Sequence, residues 1–365
     1  MLQSKSINFG KKTLLNNILS FFYNLFQKKK LLVVLEACTP FHLEHFRTIV
    51  IELSKKNNID IAIVTPDDNG LGNLNNVSFY QSMAHFPLYK KANIFISTEL
   101  NKIPYWFDCP SVYFGHGMGA KLDYVANKGL LEYDYVYSPC RPTYDIQRQT
   151  LSKERVIQIG MPILDDKASR KKEIIDTYNL DEQKPIIVYA PSWCNDITKV
   201  SDIALIIDFL SQKKQFSIIV SPHPSLFDAK RCAGKAIFSS DTNIPNININ
   251  TSKSSFTTLD LIKASDIVIS DISSILFEAM ALRKKVVFDG NKALYDHCQA
   301  LKIFELVNNV CPTPKWASKE DQTFEKINVN DSLANKRNMF IDNYLFNNGS
   351  ATSAFIESIN SIINK

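Results

Sequence analysis

The sequence predicts an α/β protein made of two Rossmann-like, doubly wound lobes that face a central cleft. Three observations carry that reading. The chain has 365 residues, long for one core and comfortable for two at roughly 100 to 200 residues each. Short apolar runs of strand length alternate with stretches of helix length along most of it, the pattern of a parallel sheet with helices on both faces. The alternation breaks once, over the charged stretch Arg170 to Lys184, "RKKEIIDTYNLDEQK", and then restarts.

Residues 1–30 place Leu14, Leu15, Ile18, Leu19, Phe22, Leu25 and Phe26 on one helical face, with Lys11, Lys12 and Lys28 to Lys30 bracketing them. Such a segment suits either a helix lying in the interface of an anionic membrane or a helix packed on the body. The first lobe, 31–168, opens with the buried strand "LLVVLEA", a helix over Phe41 to Lys55 and the strand "IDIAIVTP", which is a βαβ start. Further strands are expected at Ile94 to Ser97, Ser111 to Phe114, Tyr135 to Tyr137 and Val156 to Ile159. Residues 169–184 form a solvated helix and linker. The second lobe, 185–312, has strands at Pro185 to Ser192, Phe216 to Pro224, Asp266 to Ser270 and Lys285 to Gly290. Asn- and Ser-rich residues from Ser239 to Ser255 read as a surface excursion around one short strand, and 313–365 as a C-terminal helical segment.

Composition narrows the class. Hydrophobic residues are 45% and charged residues 22% of the chain, which excludes a disordered protein. The balance of 42 basic and 37 acidic residues gives +5, without the basic stripe of a dedicated nucleic-acid binder. Seven scattered cysteines with no Cys-x-x-Cys pair point to reduced thiols and a cytoplasmic setting. No run approaches the ~18 apolar residues of a spanning helix, and no cleavage site follows the N-terminal apolar stretch, so the expectation is a protein neither spanning nor exported.

Doubly wound sheets bind ligands at the C-terminal ends of their strands, and the informative residues fall there. His116 follows the strand at Ser111 between two glycines, Gly115 and Gly117, on a turn that lets backbone approach a substrate closely; Lys121 is five residues on. His116 suits proton transfer near neutral pH, and equally a loop histidine bonded to a carbonyl. Gly115-x-Gly117-x-x-Ala120 matches the loose dinucleotide fingerprint, but in a late strand and with no acidic residue closing the next one, so a dinucleotide site is not expected. His223 stands between Pro222 and Pro224 after an apolar strand, which aims its ring at little entropic cost. Asp271 ends the strand "DIVIS", and Ser273 and Ser274 open a helix whose free N–H groups make an anion site or only a cap. Asp271 repels phosphate and therefore suits a hydroxyl-bearing part of a ligand; Glu278 suits the same purpose. Ser192, with Trp193, ends the first strand of the second lobe, and Gly160, Pro162 and Asp165 lie at the lobe junction. His42 and His45 lack a third ligand of metal-site spacing, so no metal site is expected; His42 sits near the end of the first strand, where it can touch an acceptor.

Together "HGMGAK", "GMPILD", "YAPSW", "SPHP" and "SDIVISDISSILFEAMALRKKVVF" resemble, in order and spacing, the motifs of the CDP-glycerol glycerophosphotransferase family, over roughly residues 31–310. The resemblance implies a GT-B type fold with an N-terminal acceptor lobe and a C-terminal nucleotide-donor lobe. It also implies peripheral association with the inner face of the cell membrane, and transfer of glycerol phosphate from CDP-glycerol to a lipid-linked or oligosaccharide acceptor in teichoic acid or capsule synthesis. By the same resemblance His116 corresponds to the base, His223 to the histidine at the donor pyrophosphate, Ser273 and Ser274 to the phosphate-binding serines, and Asp271 to a position near the glycerol. Ser192, Pro222 and Glu278 fall on the donor side, and Gly117, Lys121, His42 and Asp165 near acceptor or phosphate. Two arginines of the family pattern are replaced, by Ile163 and Cys194, which leaves CDP-ribitol or a nucleotide sugar as alternative donors. No cofactor is implied beyond the donor substrate, and a divalent metal is left open.

Overall fold

The computed structural model describes residues 30–365 apart from 68, 69, 72, 88, 89, 102, 104–106, 116, 119–124, 193–202, 229, 231–237, 240, 241, 252, 253, 272 and 291–302. The N-terminal segment 1–29 lies outside the described residues, as do His116, Lys121, Trp193 and Cys194.

The first sheet has seven parallel strands in the order β3-β2-β1-β4-β5-β6-β7: β1 (Leu31–Glu36), β2 (Ile59–Val64), β3 (Val77–Tyr80), β4 (Ile94–Ser97), β5 (Ser111–Tyr113), β6 (Tyr135–Ser138) and β7 (Val156–Gln158). Strand β1 is buried along almost its whole length because both faces of a parallel sheet are covered. Helix α1 (Pro40–Ser54) covers one face. Thr39 caps it by accepting the His42 N–H, a proline sits in its first turn, and Leu43, Phe46, Ile49, Val50 and Leu53 recur at helical spacing into the core. Helix α2 (Arg141–Gln147) follows β6, and α3 (Lys171–Tyr178) leads from the first sheet to the second.

The second sheet has five parallel strands in the order β10-β9-β8-β11-β12: β8 (Ile186–Ala190), β9 (Ser217–Val220), β10 (Ile247–Ile249), β11 (Ile267–Ser270) and β12 (Lys285–Phe288). Helices α4 (Ile203–Ser211), α5 (Thr258–Ala264) and α6 (Ser274–Ala281) connect them. Helix α5 begins in a full capping box, Thr257 and Asp260 each bonding the other's backbone N–H. Among the described residues β3 is the one strand that the sequence does not predict, because its four residues "VSFY" are only half-buried and lack a continuous apolar run.

The remaining helices are α7 (Ile303–Asn308), α8 (Thr323–Val329), α9 (Ala334–Tyr344) and α10 (Ala351–Ile363). They do not form one unit. Phe324 and Ile327 of α8 join the second-sheet core, α9 stacks Tyr344 on Phe277 of α6 at 4.8 Å, and α10 returns to the first sheet. There Phe355 meets the rings of Phe114 and Tyr137 at 5.3 and 5.2 Å. Each such buried ring contributes about 1.5 to 3 kcal/mol. The crossing is pinned where Phe346 N–H donates to Pro139 O and the Asn347 amide to the carbonyls of Gln158 and Ile159. Gly160 is required at this junction: its φ is +89°, and a Cβ would lie 2.1 Å from the Phe346 carbonyl oxygen.

Among the described residues one apolar cluster joins the lobes. Met118, Cys140, Met161 and Leu164 from the first pack with Leu276, Phe277, Met280 and Phe288 from the second.

Candidate functional site

Each sheet reverses its order at one point, and most of the candidate residues that are described lie near those two points. In the second sheet the reversal lies between β8 and β11. The strand ends there are knitted together. Ser270 Oγ donates to Ala190 O at 2.8 Å, Ser192 N–H donates to Asp271 Oδ2 at 2.9 Å, and His223 N–H donates to Pro191 O at 3.2 Å. His223, Ser192, Asp271 and Ser273 thus form one continuous rim, with Pro222 buried beneath His223. Asp271 is itself buried, and one of its oxygens holds the turn that presents Ser192.

His223 is exposed, and its ring is fixed from below. Nδ1 accepts the Ser225 N–H at 3.2 Å and lies 2.8 Å from Ser225 Oγ. An Nδ1 that accepts leaves the proton of a neutral imidazole on Nε2, so the ring presents an N–H donor. Ser225 was not singled out in the sequence; a hydroxyl two residues beyond a histidine in "HPS" is the signal that could have found it.

Helix α6 begins at this rim. Ser273 is its N-cap residue but makes no side-chain capping bond; its hydroxyl lies 3.1 Å from Ser270 Oγ. The first-turn N–H groups therefore keep their positive field for an anion. One turn later Glu278 is 6% exposed, and burial pushes its carboxyl up to about 7.

The first lobe reaches the same place. Gly115 and Gly117, which flank His116, have φ of +71° and +151°, and a Cβ on Gly117 would fall 2.5 Å from Ser274 Oγ of the second lobe. Met118 then anchors in the shared apolar cluster. The glycine pair is thus brought to the start of α6. His45, Gly115, Gly117 and Gly160 line a small cavity behind it.

Asp165 is engaged elsewhere: its Oδ2 accepts the Thr352 N–H at 2.6 Å in the first turn of α10. Ile163 is partly buried against the shared cluster.

In the first sheet the reversal lies between β1 and β4, whose last residues Glu36 and Ser97 are register partners. Ser97 Oγ donates to Glu36 Oε2 at 2.7 Å, Asn101 Nδ2 to the same oxygen at 3.3 Å, and His42 Nε2 lies 3.3 Å from Glu99 Oε1. Of these only His42 was anticipated. A carboxylate ending the apolar run "LLVVLE" was the available signal for Glu36. Among the described residues no group of three or more His, Cys, Asp or Glu is placed to hold a metal ion, and no helix is long and apolar enough to cross a membrane.

Comparison with known proteins gives this arrangement a context. The family model described as CDP-glycerol:poly(glycerophosphate) glycerophosphotransferase matches residues 75–360. A teichoic acid poly(glycerol phosphate) polymerase of Staphylococcus epidermidis is 27% identical over 177 residues, 44% of this chain and 23% of that protein. A teichoic acid glycerol-phosphate primase of Bacillus subtilis is 28% identical over 164 residues, 43% of this chain and 39% of that protein. The chain spans well under half the length of these curated relatives. Among solved structures, a variant of the wall teichoic acid polymerase TagF superposes with a TM-score of 0.67 at 16% identity, over 99% of this chain and 97% of that one. A UDP-GlcNAc 2-epimerase from Neisseria meningitidis, bound to UDP-GlcNAc, superposes with a TM-score of 0.57 at 13% identity, over 91% of this chain and 100% of that one. At such identities the likeness is one of fold, and that fold is the GT-B type.

Proposed function

We infer a reaction from the premise that this chain belongs to the CDP-glycerol:poly(glycerophosphate) glycerophosphotransferase family: it transfers glycerol phosphate from CDP-glycerol to a hydroxyl of a lipid-linked or oligosaccharide acceptor and releases CMP. The observation that carries this is the meeting of the two lobes at the start of α6, with Gly117 against Ser274 and the His223 ring held on the same rim.

In this reading the donor diphosphate sits over the first turn of α6, near Ser273 and Ser274, with Ser192 and Pro222 shaping the rim. Asp271 lies on the donor side and holds the Ser192 turn, whereas Glu278, buried within α6, supports that helix rather than accepting from the donor. His116 takes the proton of the acceptor hydroxyl, whose oxygen attacks the β-phosphorus in line. The bond from that phosphorus to the bridging oxygen breaks, the electron pair leaves on CMP, and the Nε2–H of His223 donates to the departing phosphate. Lys121 offsets charge near the transferred group. The acceptor enters from the first lobe, past His42. Residues 1–30 bring the protein to the anionic inner face of the membrane.

The test is a donor screen. Protein is incubated with CDP-glycerol, CDP-ribitol and UDP-sugars in turn, with hydroxyl acceptors, and CMP or UDP release is followed. CMP release only from CDP-glycerol supports the reading. UDP release from a nucleotide sugar replaces it with a glycosyltransferase, a donor change that Ile163 in place of a phosphate-reading arginine makes worth testing. Equal turnover by wild type and His223→Ala removes the assigned mechanism. Flotation with anionic liposomes, with and without residues 1–30, tests the membrane role.

A further inference from the structure

We propose that Met118 is a positioning residue of the transfer: its side chain seats the glycine turn after β5 in the core shared with the second lobe, so the turn keeps step with the donor site rather than with its own sheet. The proposal rests on the transferase reading above, with His116 as the base, and deepens it by naming what holds that base to the donor.

The turn runs between two anchors that belong to different cores. At its near end Phe114 is part of the core of the first sheet: its ring stacks on Phe46 at 5.1 Å and meets Phe355 at 5.3 Å, and its N–H donates to Ser97 O at 2.8 Å. At its far end Met118 is 1% exposed and belongs to the cluster that includes Leu276, Phe277 and Met280 of α6. Three residues separate the anchors, and the middle one is His116.

Among the described residues, packing alone holds the far end. Gly115, Gly117 and Met118 neither donate nor accept a hydrogen bond there, and glycines at φ +71° and +151° leave the backbone easy to turn. A stretch without hydrogen bonds opens readily unless apolar burial opposes it. The Met118 side chain supplies that burial. Unbranched and polarisable, it also stays in contact when facing side chains shift.

The seat lies in the frame of the donor. Gly117 passes so near Ser274 that a Cβ would fall 2.5 Å from its Oγ, and Ser274 is the first residue of α6, the helix assigned to the diphosphate. The rim residues Ser192, Asp271 and His223 are held by bonds within the second lobe and take no support from the turn. Loss of the Met118 seat therefore displaces the base and spares the donor site. A displacement of about 1 Å can lower a rate on the order of 100-fold.

The experiment follows CMP release from CDP-glycerol by the full chain, with a disaccharide alkyl glycoside and a glycerol phosphate trimer as acceptors, and measures donor binding separately by calorimetry. Met118→Ala is expected to lower kcat at least about tenfold while the KM and Kd for CDP-glycerol stay within about twofold. Met118→Leu, which keeps an apolar side chain of similar volume, should restore kcat to within about threefold of the parent. Ile341→Ala, in α9 of the same cluster, should lose as much stability in thermal unfolding and retain its kcat. In a His116→Ala background Met118→Ala should add little, since both act through one group. A second readout is independent of turnover: trypsin should cleave after Lys121 several-fold faster in Met118→Ala than in the parent or Met118→Leu. If Met118→Ala does not fold, Met118→Val is read in the same way. An unchanged kcat, an equal loss of kcat in Ile341→Ala, full additivity with His116→Ala, or equal cleavage in all three proteins overturns the proposal and leaves the transferase standing. A parent that releases no CMP overturns the transferase reading instead, and the cleavage rates still decide whether Met118 seats the turn.

Discussion

Gly117 of the first lobe and Ser274 of the second lie so close that a methyl group on the glycine would fall 2.5 Å from the serine hydroxyl. The contact ties the glycine turn to the helix start across the cleft, so the two motifs act as one site only while it holds. Gly117→Ala is expected to lower transfer by at least about tenfold, because the turn must retreat and a side chain at φ +151° adds roughly 1 to 3 kcal/mol of strain. Adding Ser274→Ala removes the hydroxyl and should recover part of the loss. Equal effects for single and double variants in steady-state kinetics would show that the contact does not set the site.

The His223 ring owes its orientation to Ser225, which touches Nδ1 through both its backbone N–H and its hydroxyl. His223→Ala is expected to lower kcat by about 100-fold or more, the usual cost of removing a donor to developing charge. Ser225→Ala keeps the backbone bond and should cost only about 3- to 10-fold. A Ser225→Ala loss as large as that of His223→Ala would place the serine itself against the substrate.

Glu278 gives the stability a pH dependence of unusual sign. Burial raises its carboxyl from an ordinary 4.5 to about 7. Between these values the folded protein holds a proton that the unfolded chain has released. The contribution is most favourable below about 4.5 and is lost as pH rises through about 7. Above that, the buried charge costs on the order of 3 kcal/mol. Glu278→Gln should therefore gain on the parent by about 2 kcal/mol in denaturant titrations between pH 5 and pH 8. A difference independent of pH would mean that Glu278 finds compensation in the folded state.

Gly160 and Asp165 both serve the return of the chain to the first lobe. A Cβ at Gly160 meets the backbone of Phe346, which cannot swing aside as a side chain does, so Gly160→Ala should destabilise by about 3 kcal/mol or more. Asp165→Ala removes the acceptor for the Thr352 N–H and should cost about 1 to 2 kcal/mol in thermal or urea unfolding. A fall in kcat/KM without any fall in stability would instead return Asp165 to the acceptor side, where the motif "GMPILD" had placed it.

The two parallel sheets were legible because buried strands such as "LLVVLE" and "IIVYA" carry their own signal, and the turn residues bound them. The second-lobe rim was legible for the same reason: Ser192, His223 and Ser273 each directly follow such a run. Glu36, Ser97 and Asn101 were not. Ser97 and Asn101 matter only through Glu36, which is some sixty residues away in sequence and adjacent only after β4 has paired with β1. The commitment of Asp165 to α10 was hidden likewise, since Thr352 stands 187 residues further on. Contacts of that separation have no local pattern to betray them.

The placement of α10 has a consequence for how the chain acquires its shape. Phe355, Ile359 and Ile362 belong to the core of the first sheet, yet they are translated long after the strands they cover. The first sheet thus leaves the ribosome with Phe114 and Tyr137 uncovered and must wait for α10. The strands and helices of the second sheet meanwhile close two apolar clusters from residues 174–327, with nothing from the first sheet in them. Vectorial synthesis would thus let the later half mature ahead of the earlier one, the reverse of the usual order.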